Sequence, residues 1–167
     1  LGRGQTVTQL HLGGGSPTFL SDDELRELMA MLRRSFTMVP GGEYSIEIDP
    51  RTVDGSRLRA LADMGFNRLS FGVQDFDPLI QRTIGREQPY EVTRNVAEMI
   101  RARGVQSLNA DILYGLPHQT DARIADSVEK LLALSPDRVA LYGYAHVPWM
   151  SRRQQMIPSD AMPTPQE

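Results

Sequence analysis

Short apolar segments with strand character alternate with helical segments along most of the chain, and this order constrains the fold more than any other feature. Strand patterns rich in β-branched, leucine or aromatic residues occur at Val7–Leu12, Tyr44–Ile48, Arg68–Val73, Leu108–Leu113 and Arg138–Tyr142. Parallel strands joined through helices need crossover connections, so the order predicts an α/β fold with a parallel sheet. A partial (β/α) barrel and an open doubly wound sheet both fit it.

The helical segments carry their own start and stop signals. Ser21 and Glu24 form a capping-box pattern ahead of an amphipathic run, while Gly65 and Gly104 are predicted to follow helix C-termini. A further short helix is predicted near Asp77–Arg82. These signals support the alternation of strands and helices.

Each predicted strand divides, with a period of two, into an apolar face and a face of small or polar side chains. Parallel sheets covered on both faces instead have almost continuous apolar strands. Buried carboxylates and amides without partners cost several kcal/mol, so the polar face is expected to line a cavity that holds a polar ligand. The polar positions lie late in their strands, where α/β folds bind ligands. They include Glu47, Gln74, Asn109 and Asp111.

Two other interpretations of the polar face stay open. The strands could form a half-solvated sheet with one wet face, which is rare for parallel sheets. Alternatively, Glu47 and Asp111 could form a structural salt-bridge set with Arg68 and Arg86. The second interpretation is compatible with a ligand site at the same place.

A glycine-rich turn directly follows the first predicted strand, in the run His11-Leu12-Gly13-Gly14-Gly15-Ser16-Pro17-Thr18. Glycines permit positive φ and close approach of the backbone to a ligand, and free N–H groups in such a turn can bind a carboxylate or phosphate. The third glycine of a dinucleotide-binding G-x-G-x-x-G would fall at Thr18, and no Gly-Lys-Ser/Thr follows. The turn therefore matches neither nucleotide motif, and a triple glycine alone often only turns the chain.

Composition excludes several kinds of site. The 167 residues contain no cysteine, so disulfides, thiolate catalysis and cysteine-ligated clusters are impossible within them. The formal net charge of −3 gives no case for binding nucleic acid or an anionic membrane. No apolar run approaches the roughly 20 residues of a membrane span, and no signal-peptide pattern opens the chain, so we expect a cytoplasmic protein.

Five strand-end motifs, in order along the chain, carry a resemblance to one enzyme family. The chain resembles an internal fragment of the oxygen-independent coproporphyrinogen III oxidases, which are radical S-adenosylmethionine (SAM) enzymes. The resemblance covers essentially all 167 residues. The motifs are Gln9–Thr18, Ser45–Arg51, Gly65–Phe76, Asn109–Pro117, and Pro136–Val139 continuing through Tyr144–Pro148.

This resemblance implies a fold, cofactors and a reaction. The fold is a partial (β/α) barrel of six units, with about five strands in residues 1–149 and a linker toward a C-terminal domain in residues 150–167. The cofactors are two SAM molecules and a [4Fe–4S] cluster, and the parent enzyme needs an electron donor. One SAM is cleaved to a radical that takes hydrogen from a propionate of coproporphyrinogen III. Loss of CO₂ leaves a vinyl group, and two such conversions give protoporphyrinogen IX.

The resemblance also implies two sets of SAM-binding positions. Gly14 and Glu47 match positions that contact the first SAM. The residue types fit SAM chemistry, since Glu47 can hold the amino group, Asp111 a second amino group or a ribose, and Arg86 a carboxylate in a charge-assisted bond. Positions around the second SAM are matched by Gly15, Ser16, Gln74, Arg86, Asp111 and Ala145.

The sequence departs from the family pattern in ways that keep alternatives open. The family's cluster motif, C-x-x-x-C-x-x-C, precedes the first strand and is absent here, so we identify no metal ligand or catalytic residue and expect the fragment alone to be inactive. Ser16 replaces the usual threonine and keeps the hydroxyl. A haem-trafficking radical SAM relative is one alternative, although Glu47–Arg51, Arg86 and Tyr144–Pro148 favour the oxidase. A non-catalytic barrel that binds SAM or another nucleoside is the other, and the missing cysteines favour it.

Overall fold

Five β-strands alternate with five α-helices in the computed structural model, which describes residues 4–152 and 154–163. All five predicted strands are confirmed, and so is the short helix after the third of them. The elements are β1 Thr6–Leu12, α1 Asp22–Ser35, β2 Thr37–Ile48, α2 Gly55–Asp63, β3 Arg68–Gln74, α3 Pro78–Thr83, α4 Tyr90–Ala102, β4 Ser107–Tyr114, α5 Asp121–Ala133 and β5 Arg138–Gly143. Single 3₁₀ turns cover Pro17–Phe19, Gln154–Met156 and Ser159–Ala161.

The strands form one parallel sheet in which spatial order equals chain order, from β1 to β5. A doubly wound sheet would reverse its strand order at a switch point. Sequential order with helical crossovers is instead the arrangement of a (β/α) barrel. The structure therefore confirms a curled, partial (β/α) barrel and excludes the doubly wound alternative.

The helices begin and end where their sequence signals predict. The Ser21 hydroxyl accepts a hydrogen bond from the Glu24 N–H, and the Glu24 carboxylate accepts one from the Ser21 N–H, which completes the capping box. Asp54 caps α2, and Gly65, at φ +94°, follows it. Within the described residues, no helix has both the length and the apolar character to cross a bilayer.

Strand β2 begins at Thr37, seven residues earlier than predicted. In the structure, Pro40-Gly41-Gly42 forms an irregularity within the strand. Val7 pairs with Met38 and Gln9 pairs with Glu43, so two steps along β1 match five along β2. This bulge absorbs the extra residues and lets the strand continue.

The predicted apolar, helix-covered face is confirmed for the three central strands and is wrong for β5. Ile46, Phe71 and Ile112 are almost completely buried. On β5, Val139 and Leu141 are 45% and 59% exposed, because this strand lies at the sheet edge and pairs only with β4 in the described structure.

The segment after β5 folds back onto the loop after β4. His118 donates its N–H to the Ala161 carbonyl at 2.7 Å, and Ile157 is buried. The linker predicted for residues 150–167 includes residues 153 and 164–167, which lie outside the described residues. The boundary between residues 149 and 150 stays a prediction.

Candidate functional site

A polar cavity of about 410 Å³ opens at the carboxyl ends of the first four strands. Its volume lies within the roughly 300–1,000 Å³ of small-molecule sites. Seven of the eight predicted site residues line it. The walls comprise Gly14, Gly15, Ser16, Glu47, Ile48, Asp49, Arg51, Ser70, Phe71, Gly72, Gln74, Arg86 and Asp111. The polar strand faces thus meet in one hollow, as predicted.

Glu47 is held on the cavity wall by the glycine-rich turn and by a histidine. The Gly14 N–H donates to Glu47 Oε2 at 3.2 Å, and His11 Nε2 lies 3.3 Å from Glu47 Oε1. The other ring nitrogen of His11 is 2.8 Å from the Ser45 hydroxyl, which fixes the ring. The sequence interpretation left His11 without a role, although its phase in β1 matches that of the other polar-face residues.

Two of the three consecutive glycines are needed for distinct reasons. A Cβ on Gly13 would lie 2.6 Å from Glu47 Oε1 and closer still to His11 Nε2, so a side chain there would displace the carboxylate. Gly14 has φ +103°, a conformation that side-chain-bearing residues rarely adopt. The turn therefore serves the placement of Glu47.

Asp111 and Arg86 face the cavity with few protein partners. Burial raises the pKa of Asp111, and the charge of Glu47 raises it further. Among the described residues, only Asn109 Nδ2 donates to its carboxylate, at 3.0 Å. Burial also lowers the pKa of Arg86. Arg86 Nη2 donates to the Gly72 carbonyl at 3.2 Å, but its buried Nε has no hydrogen-bond partner in the described part of the chain.

The salt-bridge interpretation of the polar face is wrong. Arg68 pairs with Glu43, at 2.6 Å, and not with Glu47. Among the described residues, neither Asp111 nor Arg86 takes part in an ion pair. Asp111 and Arg86 are therefore not paired in a structural salt-bridge network among the described residues.

Asp49 and Arg51 form an ion pair on the cavity wall that the sequence interpretation did not assign. Arg51 Nη2 lies 2.6 Å from Asp49 Oδ2, and Arg51 Nε donates to the same carboxylate. This hydrogen bonding lowers the pKa of Asp49 and raises that of Arg51. The available signal was the phase of Asp49, two positions beyond Glu47 and on the same face.

Gln74 and Ala145, two further predicted residues, differ in their placement. Gln74 lines the cavity from an irregular strand end, where the β3–β4 register shifts between Gly72 and Gln74 and Gln74 has φ +67°. Ala145 follows β5 and lies outside the set of cavity residues. Its carbonyl accepts a hydrogen bond from Gln154 Nε2 at 3.0 Å. A contact of Ala145 with a ligand stays a prediction.

The cavity fits SAM but this chain cannot ligate an iron–sulfur cluster. The chain has no cysteine, and its described residues contain no group of three or more metal-ligating side chains. SAM offers a carboxylate, an ammonium, ribose hydroxyls and a sulfonium. The Arg86 side chain, which lines the cavity, can donate to the carboxylate, while Glu47 and Asp111 can accept from the ammonium or ribose.

Comparison with known proteins agrees with this geometry. The family model described as the radical SAM superfamily matches residues 2–131. A protein of Paracoccus denitrificans named oxygen-independent coproporphyrinogen III oxidase is 59% identical over 165 residues, which cover 99% of this chain and 37% of the relative. A protein of the same name from Cereibacter sphaeroides is 53% identical over 167 residues, covering 100% of this chain and 37% of the relative.

A solved structure gives the same result. The coproporphyrinogen III oxidase of Escherichia coli, described as a radical SAM enzyme, superposes with a TM-score of 0.92 at 41% identity, over 96% of this chain and 37% of that one. The chain thus spans little more than a third of the length of these relatives. Since the family model matches most of the chain and the strand order is that of a partial barrel, this chain belongs to the radical SAM superfamily.

Proposed function

We propose that this chain is the SAM-binding part of an enzyme that converts two propionates of coproporphyrinogen III to vinyl groups, giving protoporphyrinogen IX in porphyrin and haem biosynthesis. The observation that carries the proposal is the cavity lined together by Glu47, Asp111 and Arg86, of which Asp111 and Arg86 have no ion-pair partner among the described residues. The names of the relatives support the substrate. We propose a cytoplasmic oxidoreductase that takes electrons from a separate donor.

Membership of the superfamily implies SAM and a [4Fe–4S] cluster for the whole enzyme. The cluster ligands must come from residues other than these 167, because none of them is cysteine. SAM supplies radical chemistry when bound, and the protein supplies its orientation. The cavity residues are therefore binding and positioning groups.

The charges that line the cavity complement those of SAM. Its wall carries three carboxylates and two guanidinium groups, a formal net charge of −1. SAM carries one net positive charge, because its ammonium and carboxylate cancel and its sulfonium remains. An ammonium beside Asp111 would offset the burial that raises its pKa, and a carboxylate beside Arg86 would offset the burial that lowers its pKa.

Two SAM molecules divide these residues between them in the proposal. Glu47, fixed by Gly14 and His11, holds the ammonium of the first SAM. The second lies against Asp111 and Arg86, with Gly15, Ser16, Gln74 and Ala145 around it. The polar cavity offers both acidic and basic side chains to a ligand. The division of these residues between a first and a second SAM follows the resemblance to the oxidases.

A matched pair of variants in the full-length enzyme tests the first assignment. Glu47→Gln should abolish SAM cleavage at ordinary SAM concentrations without changing the iron content of the cluster. Glu43→Gln alters the same face of β2 four residues earlier, where the carboxylate pairs with arginines, and should leave SAM cleavage intact. Unchanged cleavage in Glu47→Gln would remove Glu47 from the site.

The second assignment is tested by stoichiometry. Equilibrium titration of Asp111→Ala with SAM should show one bound equivalent where the unaltered enzyme shows two. Two equivalents in the variant would contradict the assignment of Asp111.

A non-catalytic SAM-binding barrel is the second candidate function, favoured by the absence of cysteine from this chain. It predicts SAM binding without SAM cleavage in the full-length protein. Chromatography of reactions with coproporphyrinogen III separates the two functions, and also separates the oxidase from a haem-trafficking relative. Formation of a product with two vinyl groups supports the oxidase alone.

A further inference from the structure

A carboxylate outside the cavity wall, that of Asp75, is completely buried and has no cationic partner among the described residues. It directly follows Gln74 in the chain. Its Oδ1 accepts from the Ser127 hydroxyl and the Asp77 N–H, both at 2.7 Å, and its Oδ2 accepts from Gln119 Nε2 at 2.6 Å. A buried carboxylate is costly unless donors of this kind saturate it.

These donors come from three different parts of the barrel. Ser127 lies on α5, Gln119 lies in the loop after β4, and Asp77 caps α3. The Ser127 hydroxyl also accepts from the Phe76 N–H at 3.0 Å. Asp75 therefore joins the loop after β3 to the next βα unit, at the same end of the barrel as the cavity.

Gln119 carries the connection to the strand of Asp111. Its Oε1 accepts from the Gly115 N–H at 2.7 Å, and its Nε2 donates to the Leu113 carbonyl at 3.0 Å as well as to Asp75. Gln119 is itself buried. The amide thus holds the end of β4 against the end of β3.

A second buried amide pair connects Asp75 to the segment of Arg86. Gln81 Nε2 donates to the main-chain carbonyl of Asp75 at 2.9 Å and to that of Gln88 at 2.7 Å. The Gln88 N–H donates a hydrogen bond to Gln81 Oε1 at 2.9 Å. The Arg86 N–H donates to the Gln81 carbonyl at 2.8 Å, so the backbone of Arg86 is fixed by the same network.

The backbone of Gln74 needs such support. Its φ of +67° is unfavourable for a residue with a side chain, and the Asp75 N–H closes a tight turn onto the Val73 carbonyl at 2.9 Å. Conformations of this kind persist when surrounding contacts fix them. The contacts of Asp75 begin one residue after the strained position.

We propose that Asp75 is a positioning residue for SAM binding: its buried carboxylate fixes the main chain after β3, which holds Gln74 at the cavity directly and the backbone of Arg86 through the Asp75 main-chain carbonyl and Gln81. The inference rests on the proposed function for the identity of the ligand. Asp75 does not line the cavity, so it acts through the two residues it holds. Its removal changes SAM affinity without removing any group that contacts SAM.

The test is Asp75→Asn in the full-length enzyme. Asparagine keeps the shape and one acceptor oxygen but directs an amide N–H₂ at Gln119 Nε2, so two donors face each other. SAM affinity, measured by calorimetry at a temperature where circular dichroism shows the variant folded, should fall roughly 10- to 100-fold, as when outer hydrogen-bond partners of a metal site are lost.

A second substitution should reverse the effect. Adding Gln119→Glu to Asp75→Asn places an acceptor opposite the new amide and keeps acceptors for the Gly115 and Leu116 N–H groups, although it loses the donor to the Leu113 carbonyl. SAM affinity should therefore recover part of its loss. If Asp75→Asn does not fold, Ser127→Ala removes one donor to Asp75 and should lower SAM affinity in the same direction.

The matched control is Asp137→Asn, at the opposite end of the barrel. Asp137 accepts from the Leu108 N–H and pairs with Arg101, both at 2.8 Å. This variant should melt at a lower temperature and bind SAM normally. Equal losses of SAM affinity in the Asp137→Asn and Asp75→Asn variants would overturn the inference, because affinity would then follow stability alone.

Arg86→Met separates failure of this inference from failure of the proposed function. If Arg86→Met weakens SAM binding while folded Asp75→Asn and Ser127→Ala bind it normally, Asp75 has no positioning role and the proposed site stands. If Arg86→Met also binds SAM normally, the second SAM site itself is wrong and the inference fails with it.

Discussion

Two groups of charged residues on the polar face of the sheet differ in whether they form ion pairs. We call Glu43, Arg68 and Arg138 the lower half, and Glu47, Arg86 and Asp111 the upper half. In the lower half, Arg68 and Arg138 lie 2.6 and 3.4 Å from the two carboxylate oxygens of Glu43, and Arg68 Nε donates to the Ser107 hydroxyl. In the upper half, burial lowers the pKa of Arg86 and raises that of Asp111, and neither has an ion-pair partner among the described residues.

This difference separates what the fold needs from what a ligand needs. Barrel residues near the amino ends of the strands contribute to stability, whereas the carboxyl ends carry the site. In the lower half, the two arginines neutralise the Glu43 carboxylate. In the upper half, Asp111 and Arg86 have no ion-pair partner among the described residues and are at a disadvantage until a ligand supplies one.

The largest expected difference is in the rate of SAM cleavage, between alanine variants of Gly13, beside Glu47, and Gly42, beside Glu43. A Cβ on Gly13 would strike Glu47 and His11, so Gly13→Ala should displace Glu47 and slow SAM cleavage by the full-length enzyme about 100-fold, as a misplacement near 1 Å can do. A Cβ on Gly42 would lie 2.8 Å from the Thr8 carbonyl. Gly42→Ala should cost about 1–3 kcal/mol of stability by overpacking, with normal cleavage per folded molecule. Similar cleavage rates in the two variants would remove the distinction.

A smaller contrast is expected between two arginines. Arg68→Met leaves the partly buried Glu43 without its nearest cation and should lower the opening free energy of β2 and β3 amides by about 1–3 kcal/mol. Arg86→Met removes a desolvated cation, so it should not lower the opening free energy of the β2 and β3 amides. It should, however, lower the affinity for SAM. Hydrogen exchange measures local stability in the whole enzyme. Destabilisation by Arg86→Met equal to that by Arg68→Met would show that Arg86 is structural.

The smallest contrast is the sign of the pH dependence of stability. Burial and the charge of Glu47 raise the pKa of Asp111, so the folded state binds its proton more tightly and stability falls as the pH rises above 3.8. The Leu108 N–H lowers the pKa of Asp137, so its contribution is present above 3.8 and is lost as the pH falls through the lower folded value. At a pH above the folded-state pKa values of both groups, Asp111→Asn should stabilise β4 and Asp137→Asn should destabilise it, each by less than about 1 kcal/mol. Hydrogen exchange at several pH values measures both, and shifts of the same sign would contradict the contrast.

Much of the fold and site follows from local sequence patterns, because the period of two in a strand fixes which side chains share a face. That rule, with the rule that parallel strands present their carboxyl ends together, brings Glu47, Gln74 and Asp111 into one cavity. Helix caps are equally local, which is why the Ser21–Glu24 box could be predicted.

Register and distant contacts could not be read from the sequence. Arg68 pairs with Ser45 in the sheet and so lies between Glu43 and Glu47, which share its face; only the tertiary structure selects Glu43. Asp75 and Gln119 are 44 positions apart, and nothing in either segment indicates their contact. The exposure of β5 likewise depends on its neighbours in space.

A crystal structure of the full-length enzyme with SAM tests most directly whether SAM supplies the charged partners of Asp111 and Arg86. The expected result is a SAM carboxylate about 2.7–3.2 Å from a guanidinium nitrogen of Arg86, with Glu47 and Asp111 in contact with ammonium or ribose groups. SAM bound elsewhere, with Arg86 paired to a carboxylate from another part of the protein, would contradict it.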